Sequence, residues 1–227
     1  MKASILNIPF RNARACIPKK RNVIKEVLLC GTSLVLFAYL VEYSFPVKYA
    51  AFIPLIFVAA VIGNRININT EALQQIPRNI FRRELLIHYI VATQIGIIGG
   101  LAYRGSFHMP LLPTAVTSFI FIGALVGLTE ELVFRGYMQS RLAVINHPMA
   151  VFFAALAHSL YKISLFLSPA ALPRQDILHF FLWTLIASII VGLLKQASKS
   201  IVPAIIAHIV FDTIVYAEMS HAPWWVW

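Results

Sequence analysis

Long apolar runs without charge dominate this chain and restrict what it can fold into. Hydrophobic residues make up 59% of its 227 residues, whereas charged residues make up only 12%. A backbone placed in lipid must satisfy its own hydrogen bonds, so such runs can form only helices or a closed barrel. The runs lack the alternating segments of about 10 residues that a transmembrane barrel requires. The sequence therefore predicts an all-α, polytopic transmembrane helical bundle.

Seven runs are candidate membrane spans, and an eighth helix that the apolar pattern does not reveal would change the topology. Several are shorter than the ~20 residues of a full span, so they must borrow flanking residues or tilt. Pro54 and Pro113, within or near the ends of two runs, predict kinks. The seven runs are Val27–Val41, Tyr49–Gly63, Leu85–Tyr103, Leu111–Leu128, Pro148–Tyr161, Ile177–Leu194 and Ile201–Ala217.

Basic residues are distributed unevenly between the two sides of the threaded bundle. With the N-terminus inside, fifteen Lys and Arg fall in inner segments, and only Lys48, Arg104, Lys162 and Arg174 fall in outer ones. Because cytoplasmic loops are enriched in Lys and Arg, this predicts a cytoplasmic N-terminus and an outside C-terminus. The net charge of +10 is thus explained by the basic residues that set the membrane topology, and no nucleic-acid partner is expected.

The chain is expected to form one integral membrane domain, residues 23–222, with a short segment at each end. Residues 1–22 are basic and free of acid, as in a cytoplasmic arm that fixes topology, and residues 223–227 contain three Trp, as in an interfacial anchor. A short surface helix is expected around Glu71–Gln75 in the longest polar stretch. The two cysteines, Cys16 and Cys30, form no metal-binding or redox motif.

Ionisable residues interrupt four of the predicted spans. Such a side chain costs several kcal/mol in a membrane unless it is paired or hydrated, so these positions are candidates for function. Taken singly, each also has a structural interpretation, such as a salt bridge at a helix end or a histidine satisfied within the core. The residues are Glu130 and Glu131 where the fourth span ends, His158 in the fifth, His179 near the start of the sixth, and His208 and Asp212 in the seventh.

Helical spacing sorts these groups. Glu131 and Arg135 are four residues apart and can pair along one face, whereas Glu130 is rotated by about 100° and can point elsewhere. His208 and Asp212 are also four residues apart and share a face. In the threaded topology the acids and histidines lie at similar depths, which predicts one pocket on the cytoplasmic side. Such a set of groups suits water activation and oxyanion stabilisation.

These motifs resemble the CAAX protease and bacteriocin-processing family of intramembrane proteases, the prokaryotic relatives of the CAAX prenyl endopeptidase. The Glu-Glu-x-x-x-Arg motif stands at Glu130, Glu131 and Arg135. The His-x-x-x-Asn or Asp motif stands at His208 and Asp212, after Ser200-Ile201-Val202-Pro203. The Phe-x-x-x-His motif is matched only at His158, because its Phe position is Ala154 and Phe153 comes one residue early. The resemblance covers about residues 111–216, which form the motif core of the membrane domain.

The resemblance implies a glutamate-dependent intramembrane endopeptidase that cleaves a membrane-associated peptide or protein. It assigns catalysis to Glu130 with His158, which activate water, and to His208 with Asp212, which stabilise the oxyanion. It gives Glu131 and Arg135 a supporting role. An ionised Asp212 cannot donate to an oxyanion, so this residue is expected to orient His208 or to stay protonated. The resemblance also implies that the chain is a multi-pass protein located in a bacterial inner membrane.

Several alternatives stay open at this point. No cofactor is expected; zinc is the alternative, since two His and a Glu could bind it, but no His-Glu-x-x-His motif is present. A bacteriocin-immunity or partner-binding membrane protein could keep the same fold without cleaving anything, and a transport role is a third interpretation. The sequence does not select a substrate among a prenylated C-terminal peptide, a bacteriocin leader, a signalling peptide and a sorting tail, nor an oligomeric state.

Overall fold

The computed structural model of the chain describes residues 20–41, 43–68, 83–167 and 176–219, and all regular structure in these ranges is helical. This confirms the all-α prediction and the count of about seven helices. Residues 1–19 of the predicted arm, the expected helix around Glu71–Gln75 and the Trp-rich segment 223–227 lie outside the described residues.

The described helices are numbered here in chain order. They are α1 (Lys20–Leu40), α2 (Val47–Ala50), α3 (Phe52–Ile68), α4 (Arg83–Ser106), α5 (Phe119–Glu131), a π-helical segment (Leu132–Gln139), α6 (Ser140–Ala143), α7 (His147–Leu167), α8 (Ile177–Ser198) and α9 (Val202–Tyr216). Only Ala51 separates α2 from α3, and α5, the π-helical segment and α6 are continuous.

Helix length and exposed apolar side chains show that this is an integral membrane protein. Within the described ranges, five helical stretches are long and apolar enough to cross a membrane, and α9 is a shorter apolar helix. Large hydrophobic side chains cover their outer surfaces; Ile53 is 70% exposed, Ile98 67% and Phe121 69%. Such a surface is unfavourable in water and is suited to lipid.

The fourth predicted span differs most from the structure. It was expected at Leu111–Leu128, but its helix begins at Phe119 and continues without a break through the π-helical segment to Ala143. Residues 110–113, including Pro113, lie in the preceding loop, and Pro54 lies in the first turn of α3, where a proline needs no amide hydrogen. Glu130 is therefore in the middle of this long helix, not near its inner end.

The tightest helix packing joins α4 to α9, and glycines on α4 make it possible. A Cβ atom at Gly96 would lie 2.6 Å from the carbonyl oxygen of Ala207, and one at Gly100 would lie 2.9 Å from the Cβ of Ile214. Small residues let two helix backbones approach closely, which is a common basis for helix association in membranes. This packing holds α9, and with it His208 and Asp212, at a fixed position in the bundle.

The bundle has two ends, which we name by the helices that meet there. At the distal end, α4, α7 and α9 finish while α5 and α8 begin; the Phe107 and His179 rings lie 5.0 Å apart there, and the Thr117 amide donates to the Ala217 carbonyl over 2.8 Å. At the proximal end, α1, α4, α7 and α9 begin, and Glu26 pairs with Arg141 at 3.2 Å.

Candidate functional site

The acids and histidines singled out by the sequence meet in the interior of the bundle. Glu130 and Glu131 come from α5, His158 from α7, and His208 and Asp212 from α9. All of them are buried or largely buried, with Glu131 fully inaccessible. Polar groups at this position must find partners within the protein, because lipid offers none.

Glu130 is enclosed by three nitrogen atoms from two helices. Its Oε2 atom lies 3.1 Å from Nε2 of His158 and 3.6 Å from Nε2 of His208, and its Oε1 atom lies 2.5 Å from Nζ of Lys162. Lys162 stands four residues after His158 on α7, so both point to the same carboxylate. Lys162 was expected only to be an outer-segment charge, so its contact with Glu130 adds to the predicted site; its spacing of four residues from His158 was the available signal.

Glu131 points to a different set of groups, as the rotation between adjacent helix positions requires. Its Oε1 atom lies 3.1 Å from NH1 of Arg135 and 2.7 Å from Nδ1 of His208. Among the described residues, its Oε2 atom is buried and accepts no hydrogen bond. The predicted pairing of Glu131 with Arg135 is thus present, and the same carboxylate also holds His208.

Arg135 fixes the orientation and the tautomer of His158. Its NH1 group lies 3.0 Å from Nδ1 of His158, and its NH2 group donates to Oγ of Ser188 at 2.7 Å and to the Ser188 carbonyl at 3.2 Å. A guanidinium can only donate, so Nδ1 of His158 must be the acceptor. The imidazole proton is therefore on Nε2, where it is donated to Glu130.

The π-helical segment places Arg135 for these contacts. An extra residue per turn changes the direction of the side chains, and such segments occur frequently at functional sites. Arg135 is 1% exposed and spans from Glu131 on α5 to Ser188 on α8. Neither the π-helical geometry nor Ser188 belongs to a motif that the sequence argument used, so both were missed.

Two further residues shape the surroundings of the histidines. The ring of Phe134 lies over His158 with centroids 4.6 Å apart and planes inclined by 30°. Phe134 thus supplies the aromatic contact that Ala154 cannot, whereas Phe153 is 42% exposed. At Gly127, a Cβ atom would lie only 2.7 Å from Oδ2 of Asp212, so a side chain at this position would displace the aspartate carboxylate.

The site adjoins a cavity of about 370 Å³ between α4, α7, α8 and α9. Its polar wall is formed by Glu131, Arg135, His158, Lys162, His208 and Asp212, and the remaining wall is largely apolar and aromatic, including Tyr103, Trp183 and Phe211. Glu130 lies just behind this wall, in contact with three of the side chains that form it. His179 was also among the ionisable residues singled out in the predicted spans. Its ring contacts Phe107 at the distal end, and it does not belong to the cluster of Glu130, His158 and His208.

The metal-binding capacity of the site follows from the same geometry. Among the described residues, no group of three His, Cys, Asp or Glu side chains is arranged to hold a metal ion. The nearest oxygen of Asp212 is 3.6 Å from Nε2 of His208, and the other carboxylates are occupied by cations or imidazole hydrogens. The arrangement is a network of hydrogen bonds and ion pairs around two histidines.

The fold and this site define a class: a multi-pass helical membrane protein with paired glutamates and histidines beside an intramembrane cavity. Residues 110–214 match the family model Rce1-like, described as type II CAAX prenyl endopeptidase Rce1-like. This confirms the resemblance seen in the motifs, over the part of the chain that carries the site. The matched family is described as one of CAAX prenyl endopeptidases. No curated protein and no solved structure matches the chain.

Proposed function

We propose that the protein is an intramembrane endopeptidase in which Glu130 activates water to cleave a peptide bond of a membrane-associated substrate. The observation that carries this proposal is the position of Glu130 between His158, Lys162 and His208 beside a cavity. A carboxylate that both accepts and returns a proton is what amide hydrolysis needs.

In this reaction, Glu130 removes a proton from water while the water oxygen forms a bond to the substrate carbonyl carbon. The carbonyl electron pair moves onto oxygen, which gives a tetrahedral oxyanion. When the C–N bond breaks, the proton on Glu130 passes to the departing nitrogen, so the glutamate is regenerated. Each step uses a group already in the site, and the products are a carboxylic acid and an amine.

His158 is then a positioning residue for Glu130 and not a second base. Its Nδ1 atom accepts from Arg135, and its Nε2 hydrogen is directed at Glu130. The ammonium of Lys162 balances the charge of Glu130 at 2.5 Å, and its flexible side chain forms part of the cavity wall. Movement of this ammonium would give water access to the Oε1 atom of Glu130.

His208 is the proposed donor to the oxyanion. The ring does this as the doubly protonated imidazolium: its Nδ1 hydrogen is donated to Glu131, and its Nε2 hydrogen faces the cavity, where Nε2 lies 3.6 Å from both Glu130 and Asp212. A substrate oxygen that approaches from the cavity meets this nitrogen. Asp212 is too far from His208 for a short hydrogen bond and contributes by orienting the ring and its charge.

The test compares Glu130→Gln with Glu131→Gln, which differ by one position and have the same chemistry. Glu130→Gln keeps the shape but removes the base, so cleavage of a co-expressed membrane substrate should fall by ~10²-fold or more while the protein remains folded and inserted. Thermal stability in detergent provides the control for folding. Normal cleavage by Glu130→Gln would refute the assignment of the base and favour the immunity or partner-binding alternative.

The proposal also includes hydrolysis without a metal ion. Purified protein treated with a chelator should cleave at the same rate as untreated protein, because the proton transfers described above use only side chains. The measurement is the cleavage rate before chelation, after chelation and after adding zinc back. Loss on chelation with recovery on zinc addition would establish a metalloprotease instead.

A further inference from the structure

Asp212 is a buried carboxylate that lines the cavity and lacks a hydrogen-bond donor of its own. Its side chain is 8% exposed. Among the described residues, its one ion-pair contact is Nε2 of His208 at 3.6 Å, which is longer than a hydrogen bond, and no described group donates to it. A carboxylate removed from water needs donors, so the carboxylate of Asp212 is satisfied only when a group in the cavity donates to it.

The absence of a side chain at Gly127 on α5 lets Asp212 and His208 lie side by side. A Cβ atom at this glycine would lie 2.7 Å from Oδ2 of Asp212 and 3.3 Å from Cδ2 of the His208 ring. The two residues are four apart on α9, so they share one face of that helix, and both are part of the cavity wall. The cavity therefore meets a donor, the Nε2 hydrogen of His208, next to an acceptor, Oδ2 of Asp212.

The charges around the cavity decide which kind of donor suits Asp212. The cluster contains three carboxylates and three cationic side chains, so its charges balance. The carboxylates are Glu130, Glu131 and Asp212, and the cations are Arg135, Lys162 and the imidazolium of His208. A cationic ligand would add an uncompensated charge in a site shielded from water, which is unfavourable. The ligand of Asp212 is therefore a neutral donor, an N–H or O–H group.

A peptide in an extended conformation carries such a donor in a suitable position. The N–H and C=O groups of one extended residue point to the same side of the chain, as they do when two antiparallel strands exchange a pair of hydrogen bonds. In the proposed reaction, Nε2 of His208 donates to the carbonyl oxygen of the residue before the scissile bond. The N–H of that same residue is then directed at Oδ2 of Asp212, which lies 3.6 Å from Nε2.

We infer that Asp212 is a substrate-binding residue whose carboxylate accepts the backbone N–H of the residue before the scissile bond, while His208 donates to the carbonyl of that residue. Together the two side chains act like one residue of a neighbouring strand. They fix the orientation of the scissile carbonyl beside Glu130, whose Oε2 atom lies 3.6 Å from Nε2 of His208. The inference rests on the proposed function, which supplies the peptide and the role of His208.

This pairing restricts the class of substrate. The residue before the scissile bond must carry an N–H, so proline and N-methylated residues are excluded there. The cavity is also lined by aromatic rings, with Tyr103 at 5.6 Å from Phe211 and 6.3 Å from Trp183, and such a wall favours an apolar side chain. The substrate is thus an extended segment with an apolar residue other than proline before the bond that is cleaved.

The experiment measures binding and does not depend on cleavage. The probe is an acetylated leucine peptide in which one internal amide is replaced by a hydroxyethylene group, so that a tetrahedral carbon with a hydroxyl takes the place of the scissile carbonyl. Its matched partner, the ester compound, has an oxygen in place of the N–H of the residue that carries this group. Dissociation constants of both compounds are measured by calorimetry in detergent for the unmodified protein, Asp212→Ala, Asp212→Asn and Asp176→Ala.

Asp176→Ala is the matched control. Asp176 is the only other aspartate of the chain, and its carboxylate caps α8 by accepting from the backbone amide of His179 at 3.1 Å. It is not among the residues that line the cavity. Thermal stability without ligand verifies that each variant is folded.

In the unmodified protein and in Asp176→Ala, the amide compound should bind ~10-fold or more tightly than the ester compound, because hydrogen bonds to charged groups are among the stronger ones. Asp212→Ala should abolish this preference by weakening the amide compound alone. Asp212→Asn keeps an acceptor oxygen and should retain part of the preference.

Equal binding of the two compounds to the unmodified protein would overturn the inference, as would an unchanged preference in the Asp212 variants or no binding of the amide compound. The cleavage assay of Glu130→Gln tests the proposed function by a different readout. A wrong assignment of the base would appear there and leave the binding preference as it is, so the two failures are distinguishable.

Discussion

Among the described residues, two arginines are buried in the bundle, and the groups around them show that one has a structural role and the other a role in the candidate site. Arg104 at the distal end is fully inaccessible; it donates to the carbonyls of Pro110, Ile214 and Val215 and pairs with Glu218. Most of its donors are thus used on backbone oxygens that helix ends leave without partners. Its role is to join the end of α4, the following loop and the end of α9.

The guanidinium of Arg135 has the same number of N–H donors, but it contacts side chains more than backbone carbonyls. Its contacts are the carboxylate of Glu131, the imidazole of His158 and both oxygens of Ser188. Two of these groups are ionisable and line the cavity. Burial of an arginine therefore does not by itself indicate a functional site. The chemistry of what it contacts makes the distinction.

The largest expected effect is on stability, from Arg104→Met. The change leaves the carbonyls of Pro110, Ile214 and Val215 without their donor, so we expect a loss of about 3–5 kcal/mol, since each buried acceptor without a donor costs about 1–3 kcal/mol. Thermal unfolding in detergent measures it. The cleavage rate of the fraction that remains folded should be unchanged, and a selective loss of cleavage would break the comparison with Arg135.

A comparable loss of stability, together with a large effect on activity, is expected from Arg135→Gln, because it leaves the buried carboxylate of Glu131 without its cation. The variant frees Nδ1 of His158 and removes the partner of Glu131, so cleavage should fall by ~10²-fold at the same substrate concentration. Glu131→Gln should mainly reduce stability, and the double variant Glu131→Gln with Arg135→Gln should recover part of that stability. Strictly additive stability losses in this cycle would show that the 3.1 Å pair contributes nothing.

The smallest expected effect concerns Glu218, the partner of Arg104, and it depends on pH. The backbone amide of Thr114, its hydroxyl and Arg104 all donate to Glu218, and they lower the pKa of this carboxyl to about 2. A lowered pKa means that the ionised form stabilises the fold above the unfolded value of 4.5 and that this stabilisation is lost as the pH falls toward 2.

Glu218→Gln should therefore lower the melting temperature modestly at pH 7, by less than Arg104→Met does, since Glu218 is partly exposed and solvent screens the pair. The difference from the unmodified protein should shrink between pH 4.5 and pH 2. Melting curves in detergent across this range measure it. A difference that stays constant with pH would show that the ionised carboxyl does not stabilise the distal end.

The sequence by itself determined the helical membrane fold and the set of motif residues. Apolar runs must become helices in lipid, and charged groups inside such runs need partners, so both conclusions follow from the solvent alone. The i to i+4 pairing of Glu131 with Arg135 followed from helix geometry as well, because neighbouring positions on one helix face are set by local structure.

Only the tertiary structure decided which groups from different helices touch and which side of the bundle is hollow. The contacts of Arg135 with Ser188 and of Lys162 with Glu130 join separate helices, and their geometry depends on helix rotation and on the π-helical segment. The extent of the helix from Phe119 to Ala143 moved Glu130 to mid-bundle, and the arrangement of α4, α7, α8 and α9 forms the cavity beside it. Apolar periodicity does not reveal the contacts between helices or the position of the cavity, because lipid-facing and cavity-facing apolar residues have the same composition.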